Sequence, residues 1–166
     1  KIKTDMDCFV QECYERGVSR MVCSNVEVLR SGKFLVINAD QVKKVYPQVD
    51  FSQWNAETCQ LVETIQNSFF QQTGEVEPNI ALYDWHAVNG GDLRVVFPHY
   101  VQDNFFEPSC GTGSVALGLA LFAAGELAEL IKPDQRCLTL NIESGGSIEL
   151  GGPDFTTLEL AIEPSR

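Results

Sequence analysis

The sequence predicts an α+β fold: a curved, mostly antiparallel sheet wrapped around a central apolar helix. Two observations carry that expectation. From Ser114 to Gly125 no charged residue occurs, and Val115, Leu117, Leu119, Leu121 and Phe122 point all round a helical wheel. A helix apolar on every side must be covered on every side. Farther along, Leu138, Leu140 and Ile142 alternate with Thr139, Asn141 and Glu143, and Leu158, Leu160 and Ile162 alternate again. A period of two with one apolar face marks an antiparallel meander packed on one side. What those faces can cover is the apolar helix.

At 166 residues the chain is long enough for one domain with a sizeable core. Twelve bases against 23 acids give a net charge of −11, spread along the chain rather than gathered in blocks. Nucleic acids and anionic membrane surfaces demand basic patches, so neither is an expected partner. The uncharged run 108–125 only reaches the lower limit for a membrane span, and its glycines, Ser and Thr dilute it. It reads as a core helix. The six cysteines, Cys8, Cys13, Cys23, Cys59, Cys110 and Cys137, show no repeating framework and no metal-binding spacing. Reduced thiols, a cytoplasmic location and no bound metal are therefore expected.

In chain order, Met6, Phe9, Val10, Cys13 and Tyr14 fall at helical spacing over 4–16, and Gly17 stops them. Residues 20–30 read as extended, 31–33 as a turn, and Phe34–Ile37 as a buried strand. A short helical turn follows over 40–46, ended by Pro47. Between Ser52 and Thr73, Trp54, Leu61, Val62, Ile65 and Phe69 form the stripe of an amphipathic helix with Gly74 as its stop. Cys59 on that helix reads as a small buried residue. Residues 79–85 and 93–97 read as strands joined by a turn at Asn89-Gly90-Gly91. The central helix spans 113–125. Ser144-Gly145-Gly146 and Gly151-Gly152-Pro153 are turns between the last strands, with Ile148 and Leu150 continuing the alternation.

The stretch with chemistry in it is Glu107-Pro108-Ser109-Cys110-Gly111-Thr112-Gly113-Ser114. Pro108 and two glycines make a turn that opens the apolar helix. The first N–H groups of a helix have no partner within it, and the dipole adds positive charge there, so such an end binds anions. The same field favours thiolate over thiol, which predicts a depressed pKa for Cys110 alone among the cysteines. His86 and His99 stand near no nucleophile in sequence and read as surface or turn residues.

A strand pair, then Ser-Cys-Gly-Thr-Gly-Ser-Val-Ala opening an apolar helix, then a Gly-Gly hairpin, resembles the C-terminal lobe of diaminopimelate epimerase. The superfamily it resembles also contains proline racemase and the phenazine-biosynthesis isomerases. Order and spacing agree over about residues 20–162, with the Cys-Gly-Thr-Gly at 110–113 as the specific match. The resemblance implies that two such lobes enclose a substrate cleft. It implies that Cys110 is the catalytic acid–base. The N–H groups of Gly111, Thr112, Gly113 and Ser114 would then hold a substrate α-carboxylate, with Asn79 a further substrate contact. No cofactor is implied. The chain departs from the epimerase elsewhere. The family's Glu-Arg-Gly motif ahead of its cysteine is replaced by Val101-Gln102-Asp103, and its Gly-Asn-Pro-His motif by Arg30-Ser31-Gly32-Lys33. Diaminopimelate is therefore not the expected substrate.

The function this implies is a cofactor-independent amino-acid racemase or epimerase, in which a thiolate removes the α-proton and a thiol returns one from the other face. Two alternatives stay open. A phenazine-type isomerase would use a carboxylate, Glu107 or Asp103, with Cys110 as lining. A non-catalytic module would keep the fold for binding. The expected partners are a small molecule with an α-carboxylate and a second lobe. Because the chain starts at Lys1, residues 1–166 are read as the single C-terminal lobe of a two-lobed protein, inactive when isolated. A homodimer bringing a second Cys110 across a two-fold axis is the other arrangement.

Overall fold

The computed structural model describes residues 17–51, 54–76, 78–85, 93–99, 105–107, 110–127, 138–145 and 155–162. These residues form eight strands and three helices. Strands β1 (Val18–Cys23) and β2 (Val26–Ser31) make a hairpin whose two-residue turn, Ser24-Asn25, has positive φ at both positions (51° and 68°). That conformation matches the twist of the flanking strands. Ser is a poor choice for it, but α2 (Ala56–Thr73) holds it from both sides. The Ser24 N–H donates to Ser68 Oγ (3.2 Å), and its hydroxyl donates to the Thr64 carbonyl (3.3 Å).

Strand β3 (Phe34–Asn38) completes the hairpin meander and runs straight into helix α1 (Ala39–Val45), capped by the Asn38 side chain. Helix α2 begins at Ala56 rather than at Ser52, because Asn55 is extended and its Oδ1 accepts from the Thr58 N–H (2.9 Å). It ends where Gly74 turns left-handed at φ 70°. Then come β4 (Asn79–Asp84), β5 (Leu93–His99), β6 (Phe105–Glu107), α3 (Gly111–Ala123), β7 (Leu138–Gly145) and β8 (Phe155–Ile162).

The strands lie in the order β1-β2-β3-β4-β5-β7-β8, with β6 paired to β5 beside that path. Five of the seven pairings are antiparallel; β3–β4 and β5–β7 are parallel. The fold is thus α+β with a mostly antiparallel sheet. Strand β5 forks. Leu93–Val95 pair with β7, whereas Phe97–His99 pair with β6. Since β4 takes the other edge, the two partners share one edge in succession, and β6 leaves the fork toward α3.

Alternation along the central strands divides the core. Leu35, Ile37, Ile80, Leu82 and Val96 pack with Val42 of α1 and Leu61, Val62, Ile65 and Phe69 of α2. Phe34, Val36, Ala81, Tyr83, Leu93, Val95 and Phe97 pack with Ala116, Leu117, Ala120 and Leu121 of α3. Helices therefore sit on both faces of the sheet. Helix α3 touches β1, β2, β3, β4, β7 and β8, and its residues 113–118 are all buried. Its far end is tied to β4. The buried Tyr83 hydroxyl donates to Glu126, 2.9 and 3.0 Å from its two oxygens, and the Trp85 ring N–H reaches the same carboxylate at 3.4 Å. Burial, with that carboxylate behind it, pushes the Tyr83 phenol well above its usual pKa.

No helix among the described residues is long and apolar enough to cross a membrane. The helix expected over 4–16, the turns at 89–91, 146 and 151–153, and the continuation at Ile148 and Leu150 lie outside the described residues.

Candidate functional site

The turn that carries Cys110 is held in place by β5. Glu107 pairs with Phe97 across the β5–β6 ladder, and three residues later Cys110 caps α3 in an extended conformation (φ −138°, ψ 106°). A Cβ on Gly113 would stand 2.2 Å from Phe97 Cε1. Glycine is therefore required at 113 for the first turn of α3 to lie against the Phe97 ring. That ring is fixed in turn by an edge contact to Phe34 (6.3 Å between centroids, 76° between planes). The helix starts at Gly111, two residues before the expected start, so both glycines belong to its first turn.

The local hydrogen bonds close much of that turn. The Gly113 N–H donates to Cys110 Sγ (3.3 Å), and the Ser114 N–H (3.0 Å) and hydroxyl (2.8 Å) both donate to the Cys110 carbonyl. Of the four N–H groups expected to face an anion, two are thus engaged inside the turn. Those of Gly111 and Thr112 have no hydrogen-bond partner among the described residues. Gly111 is half-buried, Thr112 is exposed, and no acid stands in the first helical turn.

The Cys110 side chain is half-buried against the α3-face cluster, 3.5 Å from Thr112 Oγ1. Its pKa corrects the sequence expectation. Burial pushes the thiol up. The Thr112 hydroxyl and the Gly113 N–H draw it partly back, and the negative charge of Glu107 raises it again. Loss of hydration outweighs the helix end. Nor does Cys110 stand alone: burial also raises Cys23 and Cys59. All three are free thiols. Cys59 is half-exposed on α2, 3.8 Å from Glu63 Oε1, rather than buried.

Asn79 is exposed at the first position of β4, its N–H donating to the Lys33 carbonyl (2.9 Å). Alternation puts it on the face of β4 that carries Ala81 and Tyr83, which is the α3 face. No hydrogen bond among the described residues joins it to the Cys110 turn. The Arg30-Ser31-Gly32-Lys33 hairpin lies at the same end of the sheet, since Phe34 pairs with Asn79. Asp103, His86 and the side chain of His99 lie outside the described residues. Sequence reasoning missed Phe97, which shapes the turn, and gave Glu107 only a secondary place. Among the described residues no group of His, Cys, Asp and Glu side chains is arranged to hold a metal ion. No protein-family model and no curated protein matches this chain.

Proposed function

We propose that this chain supplies one wall of a cofactor-independent isomerase site, an amino-acid racemase or epimerase in which Cys110 exchanges the proton α to a carboxylate. The observation that carries the reading is the N-terminus of α3. A thiol, two open N–H groups and a carboxylate, Glu107, converge within one turn of an apolar helix. The substrate carboxylate would accept from Gly111 and Thr112, where the helix end favours negative charge. Removing the α-proton pushes an electron pair into that carboxylate, and the same donors stabilise the added charge. Reprotonation from the other face restores the carbon inverted. Because its pKa is raised, resting Cys110 is a thiol, suited to deliver the proton. The thiolate left behind is stabilised by the Thr112 hydroxyl and the Gly113 N–H.

The influence of the Glu107 charge on the Cys110 thiol favours a second reading, in which Glu107 is the base and Cys110 passes its proton, as in a carboxylate-using isomerase. Both readings place the chain in a diaminopimelate-epimerase-like lobe, with the sheet curving round α3. The contacts of α3 with strands from both ends of the sheet support that arrangement. A second lobe or a second copy would provide the opposing acid–base group, and the isolated monomer would not racemise.

The test measures α-proton washout into deuterated water from a panel of amino acids, with backbone NMR of the chain in parallel. Ligand-dependent shifts of the Gly111 and Thr112 amides are expected, without racemisation by the monomer. Where washout occurs, loss in Cys110→Ser selects the first reading and loss only in Glu107→Gln the second. A first turn of α3 that responds to no carboxylate would reject both.

A further inference from the structure

In the buried stretch of α3, from Gly113 to Gly118, Ser114 is the one polar side chain, and it is only 2 % exposed. Alanine forms helices better than serine and brings no hydroxyl to bury. The Ser114 hydroxyl reaches back one turn. Its Oγ donates to the Cys110 carbonyl at 2.8 Å, and the Ser114 N–H donates to the same oxygen at 3.0 Å. A carbonyl has two lone pairs, and both are taken.

A serine inside a helix commonly bonds the carbonyl four residues back, with little effect. Here that carbonyl belongs to the N-cap, and the N-cap carries the thiol. A cap holds a helix start with its own side chain, accepting from an N–H two or three residues on. Cys110 does so with sulfur, from the Gly113 N–H at 3.3 Å, and sulfur is a weak acceptor. The second anchor on its carbonyl takes over the part that the sulfur plays poorly. This matters for proton transfer. A thiol that exchanges protons with a substrate must be free to leave the Gly113 N–H, and a turn held by the sulfur alone would open as it left.

The same anchor sets a direction. The peptide between Cys110 and Gly111 is planar and trans, so its C=O and N–H point opposite ways. With the C=O held toward Ser114, down the helix, the Gly111 N–H is aimed out of the helix end. We propose that Ser114 is a positioning residue of the Cys110 site. Its hydroxyl keeps the first turn of α3 closed, and the Gly111 N–H aimed outward, while the sulfur is engaged with substrate. The part played in proton transfer rests on the isomerase reading, whereas the hold on the turn is measurable without any ligand.

Hydrogen exchange and residual dipolar couplings of the isotopically labelled chain, free of ligand, test it in Ser114→Ala, Cys110→Ala and Ser114→Thr. Ser114→Ala should speed exchange of the residue-114 and Val115 amides about fivefold, the effect of one lost hydrogen bond. It should also change the coupling of the Gly111 N–H, whose direction is then no longer fixed. Cys110→Ala should alter the same exchange rates by less than about twofold, because the sulfur contributes little. Ser114→Thr keeps a hydroxyl that can bond the same carbonyl, and should return both the rates and the coupling toward the native values. The proposal is overturned if Cys110→Ala speeds exchange as much as Ser114→Ala, since the sulfur would then be the anchor. An unchanged Gly111 coupling in Ser114→Ala overturns it too. So does a Ser114→Thr chain of native thermal midpoint that exchanges like Ser114→Ala; if its midpoint is lowered, the two alanine variants decide. Failure of these tests leaves the isomerase reading standing. A helix end that answers to no amino acid rejects that reading and leaves the hold of Ser114 on the turn as measured.

Discussion

Helices α2 and α3 pack against opposite faces of one sheet, yet they are built by different rules. Helix α2 buries one stripe, Thr58, Leu61, Val62, Ile65, Gln66 and Phe69, and leaves its other side in water. Both its ends are closed, by the Asn55 side chain and by left-handed Gly74. Helix α3 buries consecutive residues from Gly113 to Gly118 and is capped by a sulfur, a weak acceptor. One helix spends its capping groups on its own stability. The other leaves the N–H groups of Gly111 and Thr112 without a partner among the described residues, beside the Cys110 thiol. The difference teaches where to look for chemistry: at the end the fold holds rigidly but does not close.

The sharpest way to break the comparison is to attack what holds that open end. Gly113→Ala should be the most damaging change, because its methyl group meets the buried Phe97 ring at 2.2 Å. Overpacking of this kind costs about 1–3 kcal/mol, roughly 2–12 °C in thermal midpoint for a chain of this size. Phe97→Leu in the same chain should recover part of the loss. Additive costs for the pair, measured by thermal unfolding, would refute the contact. The equivalent glycine of α2 behaves differently. A Cβ at Gly74 meets nothing within 4 Å, so Gly74→Ala pays only for its left-handed backbone, about 1–2 kcal/mol.

The caps provide the next test. Asn55→Ala should destabilise by about 1 kcal/mol, since its side chain accepts from the Thr58 N–H. Cys110→Ser should cost less than that, because a hydroxyl is a better cap than a thiol and offsets the packing lost. Thermal midpoints of the two variants decide it, and an equal or larger loss for Cys110→Ser would show that the sulfur is a structural cap.

The same contrast explains what was legible in the sequence. The stripe of α2 and the all-round apolarity of α3 are local patterns, so both helices were visible, as were β3, β4, β5 and the alternation of β7 and β8. The start of α3 was not, because glycines at 111 and 113 read as a loop until Phe97, distant in sequence, requires one of them. Strand β6 is three residues long and has no period to detect. The fork in β5 joins strands that are not sequential, and pairing of that kind leaves no local signal. The layer of α1 and α2 on the second face was implicit in Phe34–Ile37, a run apolar on both sides. The sign of the Cys110 shift failed for a related reason. The helix end is written in the sequence, but burial and Glu107 arrive with the tertiary structure.

Alkaline titration separates the two faces by a smaller margin. Cys23, on the α2 face, and Cys110, on the α3 face, are both raised from an ordinary value of 9.0. A group whose folded pKa lies above its unfolded one favours folding least once both states are ionised. Their contribution is therefore fully present below about pH 9 and is lost as pH rises through the folded values. Tyr83, raised from 10.0, adds a further loss at higher pH. Urea unfolding should show stability falling from about pH 9 upward. In Cys23→Ala and Cys110→Ala that fall should be shallower, and an unchanged slope in both would contradict the assignment.

The smallest effect is the most informative about the candidate site. Alkylation by iodoacetamide consumes thiolate, so its rate at neutral pH follows both pKa and access. Cys59 is half-exposed and should react ahead of Cys110, reversing the order that a bare helix-end argument gives. Glu107 is what can be changed without touching the sulfur. Its negative charge raises the Cys110 pKa, though less than burial does. Glu107→Gln removes the charge and keeps the shape, so the Cys110 pKa should fall and its labelling at pH 7 should quicken, while Cys59 stays as it was. Peptide mass analysis of labelling against pH reads both sites in one sample. A Cys110 profile that does not move in Glu107→Gln would mean that the two groups do not share a proton. The relay from thiol to carboxylate would then fall, and Cys110 would have to act alone.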